Sequence, residues 1–126
     1  MKKKFSKSWK SSKQVRKQRK YRHNAPLHTK HKFVRAHLSK ELKKKYGKRN
    51  LGLRKGDKVR IVRGNFKKHV GSVESIDLKQ SKAYITGVEI TKKDGTKTRQ
   101  GIDASNLIIT ELNLDDKIRQ KIVERK

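Results

Sequence analysis

The stretch VRIVRGNFKKHVGSVESID, from Val59 to Asp77, predicts two half-buried strands joined by a basic loop. Val59 and Ile61 alternate with charged residues, as expected of a strand that has one face in water. A second strand is predicted from Val70 to Leu78. We expect the core of the chain to be built around the apolar side chains of these two strands, which are Val59, Ile61, Val70 and Val73.

The loop between these strands is unusually rich in positive charge. Gly64 suits a left-handed turn, and Gly71 permits a bend or a close backbone approach inside a strand. A purely structural loop does not need cationic side chains, so their clustering favours contact with nucleic acid over a solvated basic face. The candidate contacts at this site are Arg60, Arg63, Lys67, Lys68 and His69.

Three more strands are predicted downstream of this hairpin. The third runs from Ala83 to Ile90, and Asp94-Gly95 forms the turn into the fourth, which includes Ile102. A fifth short strand runs from Leu107 to Thr110. Five short strands at this spacing indicate a small closed barrel or a sandwich.

Two helices are predicted beside the strands. Ser39 can cap a helix over Lys40 to Tyr46, and Gly47 suits its left-handed C-terminus. Asn113 can cap a C-terminal helix with an amphipathic pattern. Its expected apolar face is Leu114, Ile118 and Ile122.

Charge divides the chain into two unequal parts. Of 126 residues, 38 are Lys or Arg and 11 are Asp or Glu, a formal net charge of +27. Residues 1–50 contain 20 basic residues and a single acid, a net charge of +19, whereas residues 51–126 contain 18 and 10, a net charge of +8. A chain this basic repels itself unless a polyanion neutralises it. We therefore predict a basic extension at residues 1–50, a β domain at 51–112 and a C-terminal helix at 113–126.

The extension has too few apolar residues for their burial to compensate for the conformational entropy lost when the chain becomes ordered. We therefore expect it to be disordered in the absence of a partner. A short helix over KQVRKQRKY, capped by Ser11 or Ser12 and ended before Pro26, is predicted to form with a partner. Five of the seven aromatic residues lie in residues 1–50, where core demand is low. Tyr21, between two basic residues, is expected to stack on an unpaired RNA base. For Phe33 and Tyr46, base stacking and packing against the barrel are equally favoured.

Several functions are disfavoured by composition. The absence of cysteine removes disulfides and thiolate ligands and fits a reducing cytoplasm. No apolar run matches a signal peptide or a membrane span, so membrane insertion is not expected. The histidines at 23, 28, 31 and 37 are too loosely spaced to predict a metal site, and no nucleophile and base pairing stands out, so neither a cofactor nor enzymatic activity is expected.

The segment GDKVRIVRGNFKKHVGSVESID resembles a KOW motif, which occurs in ribosomal proteins and in transcription elongation factors. The flanking sequences SKQVRKQRKYRHNAPLHTKHKFVRAHLSKELKKKYGKRNLGLRKGD and VEITKKDGTKTRQGIDASNLIITELNLDDKIRQKIVERK extend the likeness. Over nearly its full length the chain resembles the archaeal and eukaryotic family of universal large-subunit ribosomal protein number twenty-four. The resemblance implies a mostly β fold, a five-stranded SH3-like barrel with a basic N-terminal extension and short flanking helices. It also implies binding to the 5′ domain of large-subunit ribosomal RNA, early action in subunit assembly and a place beside the polypeptide exit tunnel.

The resemblance also implies which residues face RNA. The loop from Gly64 to His69, with Asn65 in it, is one such element. Arginine forks onto phosphates more readily than lysine, which makes Arg16, Arg19, Arg22 and Arg35 the preferred positional contacts. The residues carried over from the arm are Ser12, Arg16, Arg19, Tyr21, Arg22, His23, Asn24 and His28.

The expected partners are ribosomal RNA, neighbouring large-subunit proteins and targeting factors at the exit tunnel, and no homo-oligomer is expected. A KOW module of a transcription elongation factor is the main alternative, but such factors usually carry a further globular domain for which residues 1–50 leave no room. A general DNA compactor would not need the hairpin pattern. An RNA-modifying enzyme would need an active site.

Overall fold

The computed structural model describes residues 4–9 and 11–125 of the chain. Over these residues, seven strands form one sheet in the order β2-β1-β7-β3-β4-β5-β6. The strands are β1 (Arg35–Leu38), β2 (Asn50–Gly52), β3 (Lys58–Ile61), β4 (Val70–Asp77), β5 (Lys82–Thr91), β6 (Lys97–Asp103) and β7 (Leu107–Glu111). The helices are α1 (Val15–Asn24), α2 (Leu27–Phe33), α3 (Lys40–Tyr46) and α4 (Lys117–Glu124).

The five strands predicted from the sequence are confirmed as β3 to β7. Val59 and Ile61 are buried as the alternation predicts, and Val73 is buried with them. Val70 is not: its side chain is 55% exposed, so its predicted place in the core was wrong. Directly opposed residues lie on the same face of an antiparallel pair. Val70 is opposite Arg60, on the solvent side, and Gly71 takes the inward position opposite Val59.

The closed five-stranded barrel is not observed, and the fold is mixed α/β rather than mostly β. β7 pairs with β3 on one edge and, in parallel, with β1 on the other, so its second edge is not available for barrel closure. β1 in turn pairs with β2, which leaves β2 and β6 as the open edges of the sheet. β1 and β2 have four and three residues, too short for a recognisable alternation in sequence. Ala36 and Leu38 nevertheless place β1 in the core.

The helix predicted at residues 40–46 is confirmed as α3. The Ser39 hydroxyl accepts a hydrogen bond from the Leu42 N–H, and Gly47 ends the helix with φ of 63°. The predicted helix in the arm is confirmed as α1, which begins at Val15 and ends before Pro26. Its predicted cap was wrong: the N-cap is Gln14, which makes no side-chain capping bond, and the Ser12 hydroxyl instead accepts from the Gln14 N–H ahead of the helix. α2 was not predicted. That the arm is disordered without RNA stays a prediction.

The C-terminal helix differs from its prediction in both its start and its buried face. Asp116, not Asn113, is the N-cap: its carboxylate accepts from the Ile118 N–H, and this bond, against the opposing effect of desolvation, holds the pKa of Asp116 below its usual value. Ile118 is 67% exposed, and the buried residues of α4 are Arg119 and Val123. An arginine faces inward because its partner, Asp57, is itself buried.

Candidate nucleic-acid interface

The basic loop between β3 and β4 is held by backbone hydrogen bonds. The Lys68 N–H donates to the Ile61 carbonyl at 2.8 Å, and the Ile61 N–H donates to the His69 carbonyl at 2.9 Å. Gly64 has φ of 91°, so the left-handed turn predicted there is confirmed. Lys68 also has a positive φ, of 74°, which is uncommon for a residue with a side chain. The loop is therefore a defined turn.

Phe66 anchors the loop to the body of the protein. Its ring is half-buried and packs against the core, whereas Arg63, Asn65, Lys67 and Lys68 are exposed. Full burial of a Phe side chain is worth roughly 1.5–3 kcal/mol, and the partial burial of Phe66 contributes a fraction of this to keeping the turn against the sheet. One apolar residue in the middle of the loop thus directs its polar and basic neighbours into solvent.

His69 has a structural partner. Its Nε2 lies 2.9 Å from the Thr86 carbonyl oxygen, and since a carbonyl only accepts, the ring donates this bond. Gly71 and Gly87 lie under the ring: a Cβ on Gly87 would be 3.1 Å from His69 Cε1. His69 therefore couples the loop to the bend in β5 at Gly87. The predicted RNA contact of His69 stays a prediction.

The arm presents its cationic residues on α1. Arg16, Arg19, Arg22 and His23 are exposed. Ser12 is half-buried, and its hydroxyl accepts from the Gln14 N–H at 3.2 Å just before the helix begins. The last residue of α1, Asn24, is half-buried, and its Oδ1 lies 3.3 Å from His23 Nδ1. His28, one of the predicted contacts, is exposed on α2.

Tyr21 belongs to an aromatic cluster that sequence reasoning did not foresee. The Trp9 ring stacks on Tyr21 with centroids 4.3 Å apart, and Phe5 and Phe33 lie 4.9 and 6.1 Å from the same ring. The Arg22 guanidinium lies 5.6 Å from the centre of the Phe33 ring, within cation–π range. Base stacking on Tyr21 would therefore have to compete with Trp9 for the same ring.

The arm and the loop, 40 residues or more apart in sequence, border neighbouring clefts. Arg19, Arg22 and His23 line a cleft between α1 and the turn before β5. Arg63, Asn65 and Phe66 line a second cleft, between the loop and β6. Lys82 and Asp103, an ion pair of 2.9 Å, line both. The structure thus places predicted contacts of the arm and of the loop in two clefts that share the Lys82–Asp103 pair.

A third cleft adds cationic residues that sequence reasoning missed. Arg60 of β3 and Arg63 of the β3–β4 loop line it on one side, and Lys40 and Lys43 line it from α3. The spacing of the two lysines puts them on one face of α3, but nothing in the sequence shows that this face lies beside β3. Within the described residues, His37 Nδ1, at the same cleft, is a buried polar atom without a hydrogen-bond partner.

Arg35 lies apart from the loop. It is exposed on β1 and lines a cleft with Lys32, Lys48 and Arg49. Among residues 4–9 and 11–125, no three His, Asp or Glu side chains are grouped as metal ligands would be. In the same part of the chain, no helix is long and apolar enough to cross a membrane.

The fold and this surface define a class of protein: a small, strongly basic chain that combines one sheet with a cationic helical arm and a cationic loop held by backbone hydrogen bonds. A family model that describes the eukaryotic ribosomal proteins L26 and their archaeal counterparts, the L24 proteins, matches residues 12–126. The large ribosomal subunit protein uL24 of Methanosphaera stadtmanae is 46% identical over 115 residues, which cover 91% of this chain and 98% of the relative. That of Methanoculleus marisnigri is 47% identical over 110 residues, which cover 87% and 91%.

The chain belongs to the uL24 family of large-subunit ribosomal proteins, in its archaeal and eukaryotic form. This confirms the family that the sequence analysis predicted from the KOW-like segment and its flanking sequences. It is a family of ribosomal proteins and not of enzymes, as the sequence predicted. The transcription-factor alternative loses its main support, because the match covers the arm and the C-terminal helix as well as the KOW-like segment.

Proposed function

We propose that this chain binds the 5′ domain of large-subunit ribosomal RNA as a structural constituent of the large subunit. The observation that carries this proposal is that the arm cleft and the loop cleft share the Lys82–Asp103 pair as lining. The cations of α1 and of the loop therefore lie on either side of this pair, where one RNA can contact both. Family membership supports the same conclusion, since two relatives that align with 91% and 87% of this chain are named large ribosomal subunit proteins.

The proposed contacts divide by chemistry. Exposed lysines and arginines of the arm, the loop and α3 neutralise phosphates and release counterions. Engagement of about ten phosphates would make log affinity fall with log salt at a slope near −7 to −9. The rigid turn around Phe66 sets the position of the loop cations, and the arm adds most of the charge. The fold supplies the anchor for both.

The proposal includes the two roles that the family resemblance implies, early action in subunit assembly and a position near the polypeptide exit tunnel. Neighbouring ribosomal proteins, and targeting factors at the tunnel exit, are the protein partners that such a position would provide.

The test is RNA binding by the full chain at moderate salt. We expect a transcript of the 5′ domain of the large-subunit RNA to bind more tightly than an unrelated transcript of equal length. Equal affinity for the two transcripts would contradict the proposal and would instead indicate general polyanion binding. Sedimentation of cell extract gives an independent check, because the chain should travel with the large subunit and not with free RNA polymerase.

A further inference from the structure

The cleft between the β3–β4 loop and β6 has features that phosphate binding does not require. The side-chain amides of Asn65, Gln100 and Asn106 line it or its rim, and none of them makes a hydrogen bond to any residue that the structure describes. Each amide offers two N–H donors and one carbonyl acceptor. Three uncommitted amides in one cleft provide both kinds of partner for a ligand.

The walls of the same cleft are apolar. Phe66 and Ile102 are half-buried there, and Ile90, at the start of the projecting part of the β5–β6 hairpin, is 46% exposed. A large aliphatic side chain left exposed beside an aromatic ring is a suitable surface for a flat ligand with an apolar face. Phosphates gain nothing from such a surface.

The rim of the cleft is cationic and open. Arg63 lies at one side, and the Asp103 carboxylate at the other is neutralised by Lys82 at 2.9 Å. Gly64 leaves nothing within 4 Å of the position that a Cβ would occupy, so a ligand can approach its backbone. A substituent there would also meet a left-handed backbone, with φ of 91°.

We propose that this cleft is a nucleotide-binding subsite that receives one unpaired base of the RNA. The base packs between Phe66 and Ile90, its edge pairs with the amides, and Arg63 contacts its phosphate. Among ligands of the right charge, an unpaired nucleotide is the one that combines an apolar face, donors and acceptors on its edge, and an anionic tail. A base inside a duplex presents neither face, so the subsite selects single-stranded or bulged RNA. This inference rests on the proposed function and names the feature of RNA that the loop recognises.

The first test uses the full chain labelled with ¹⁵N. Titration with a hexauridylate or hexaadenylate should shift the side-chain NH₂ signals of Asn65, Gln100 and Asn106. A fully paired RNA duplex at the same phosphate concentration should leave the Gln100 and Asn106 signals in place while it perturbs the loop, including Asn65. Equal shifts of the Gln100 and Asn106 signals with the two RNAs, or none with the single strand, would overturn the proposal.

The second test uses the double variant Gln100→Ala with Asn106→Ala. We expect about a tenfold loss of affinity for the single strand, since two uncharged hydrogen bonds are removed, with the salt slope and the affinity for the duplex unchanged. Asn50→Ala is the matched control, because Asn50 is an exposed amide on the far edge strand, β2. Gln100→Glu is a second variant that keeps the shape of the side chain, so the melting temperature should be unchanged. It should lower single-strand affinity, because a carboxylate has no N–H donor and repels the RNA.

The result separates this inference from the proposed function. If the double variant binds both RNAs as the unmodified chain does, the base subsite is wrong, and the preference for the 5′ domain over an unrelated transcript is unaffected. If the unmodified chain shows no such preference while the hexanucleotide signals still shift, the ribosomal RNA assignment is wrong and the subsite stands.

Discussion

Asp57 and Arg119, 62 positions apart in sequence, form a buried bidentate ion pair. Arg119 Nη1 donates to Asp57 Oδ1 at 2.6 Å and Nη2 donates to Oδ2 at 2.7 Å, with the two residues 3% and 0% exposed. The N–H groups of Arg54 and Asn113 donate to the same carboxylate at 2.9 Å. The pair joins α4 to the turn that precedes β3.

Breaking this pair should destabilise the fold strongly. Arg119→Met leaves the Asp57 carboxylate buried without its cation, which typically costs about 3–5 kcal/mol. Urea unfolding followed by circular dichroism measures the loss. Lys121→Met, an exposed position on the same helix, is the control and should change stability by less than about 0.5 kcal/mol. A similar small loss for Arg119→Met would mean that α4 is not held by this pair.

Gly71→Val should damage the fold before it affects RNA binding. A Cβ at Gly71 would lie 2.8 Å from Ile85 Cγ2 and 2.8 Å from the Thr86 carbonyl oxygen. The Thr86 oxygen belongs to the backbone, so it can move aside only if β5 shifts. Overpacking of this kind costs about 1–3 kcal/mol or more. The comparison is Gly52→Ala in β2, where nothing lies within 4 Å and φ is not positive. Equal melting temperatures for the two variants would contradict the close approach of β4 and β5.

Replacing Lys67 and Lys68 with Ala should weaken RNA binding with little effect on stability. Both side chains are exposed, so thermal unfolding should be nearly unchanged. Loss of two phosphate contacts should reduce the steepness of the salt dependence by about 1.5. Measured binding constants across a salt series give the slope. The control is replacement of Lys117 and Lys121 on α4 with Ala. It removes the same charge and should leave the salt slope nearly unchanged.

Residues 34–38 should be required for a stable fold. Val34, Ala36 and Leu38 are buried in the core, and β1 covers the edge of β7. A fragment of residues 34–126 is therefore expected to unfold cooperatively, whereas residues 51–126, cut at the predicted domain boundary, should lose at least about 3 kcal/mol of stability. Urea unfolding of the two fragments decides the matter. Equal stability would support the boundary at residue 50.

Trp9 emission should report on the arm in the free protein. Trp9 is the only tryptophan, and it stacks on Tyr21. Tyr21→Ala removes this partner and should shift the emission to longer wavelength as the indole becomes more exposed to water. Tyr84→Ala removes a tyrosine whose ring pairs with the Arg99 guanidinium and not with this cluster, and it should leave the emission unchanged. An unaltered spectrum for Tyr21→Ala would indicate that the arm is disordered until RNA binds, as the composition alone predicts.

Much of the fold could be predicted because its signals are local. Alternation marks β3 and the strands that follow, Ser39 and Gly47 mark both ends of α3, and Pro26 marks the end of α1. β1 and β2 could not be found this way, since strands of three or four residues contain too few alternations. The burial of Arg119 was missed for a different reason: helical spacing favoured Ile118 and Ile122, and only a distant carboxylate makes an inward arginine favourable.

The sequence by itself determined the charge, the basic loop between two strands, the arm and the family, because composition and neighbouring residues carry all of these. Tertiary structure alone decided which residues act together. It put the arm and the loop on either side of Lys82 and Asp103, set α3 beside Arg60, and gave the loop cleft its free amides. These relations depend on which strands pair and in what register, and pairing is settled by packing over the whole sheet rather than by any local pattern.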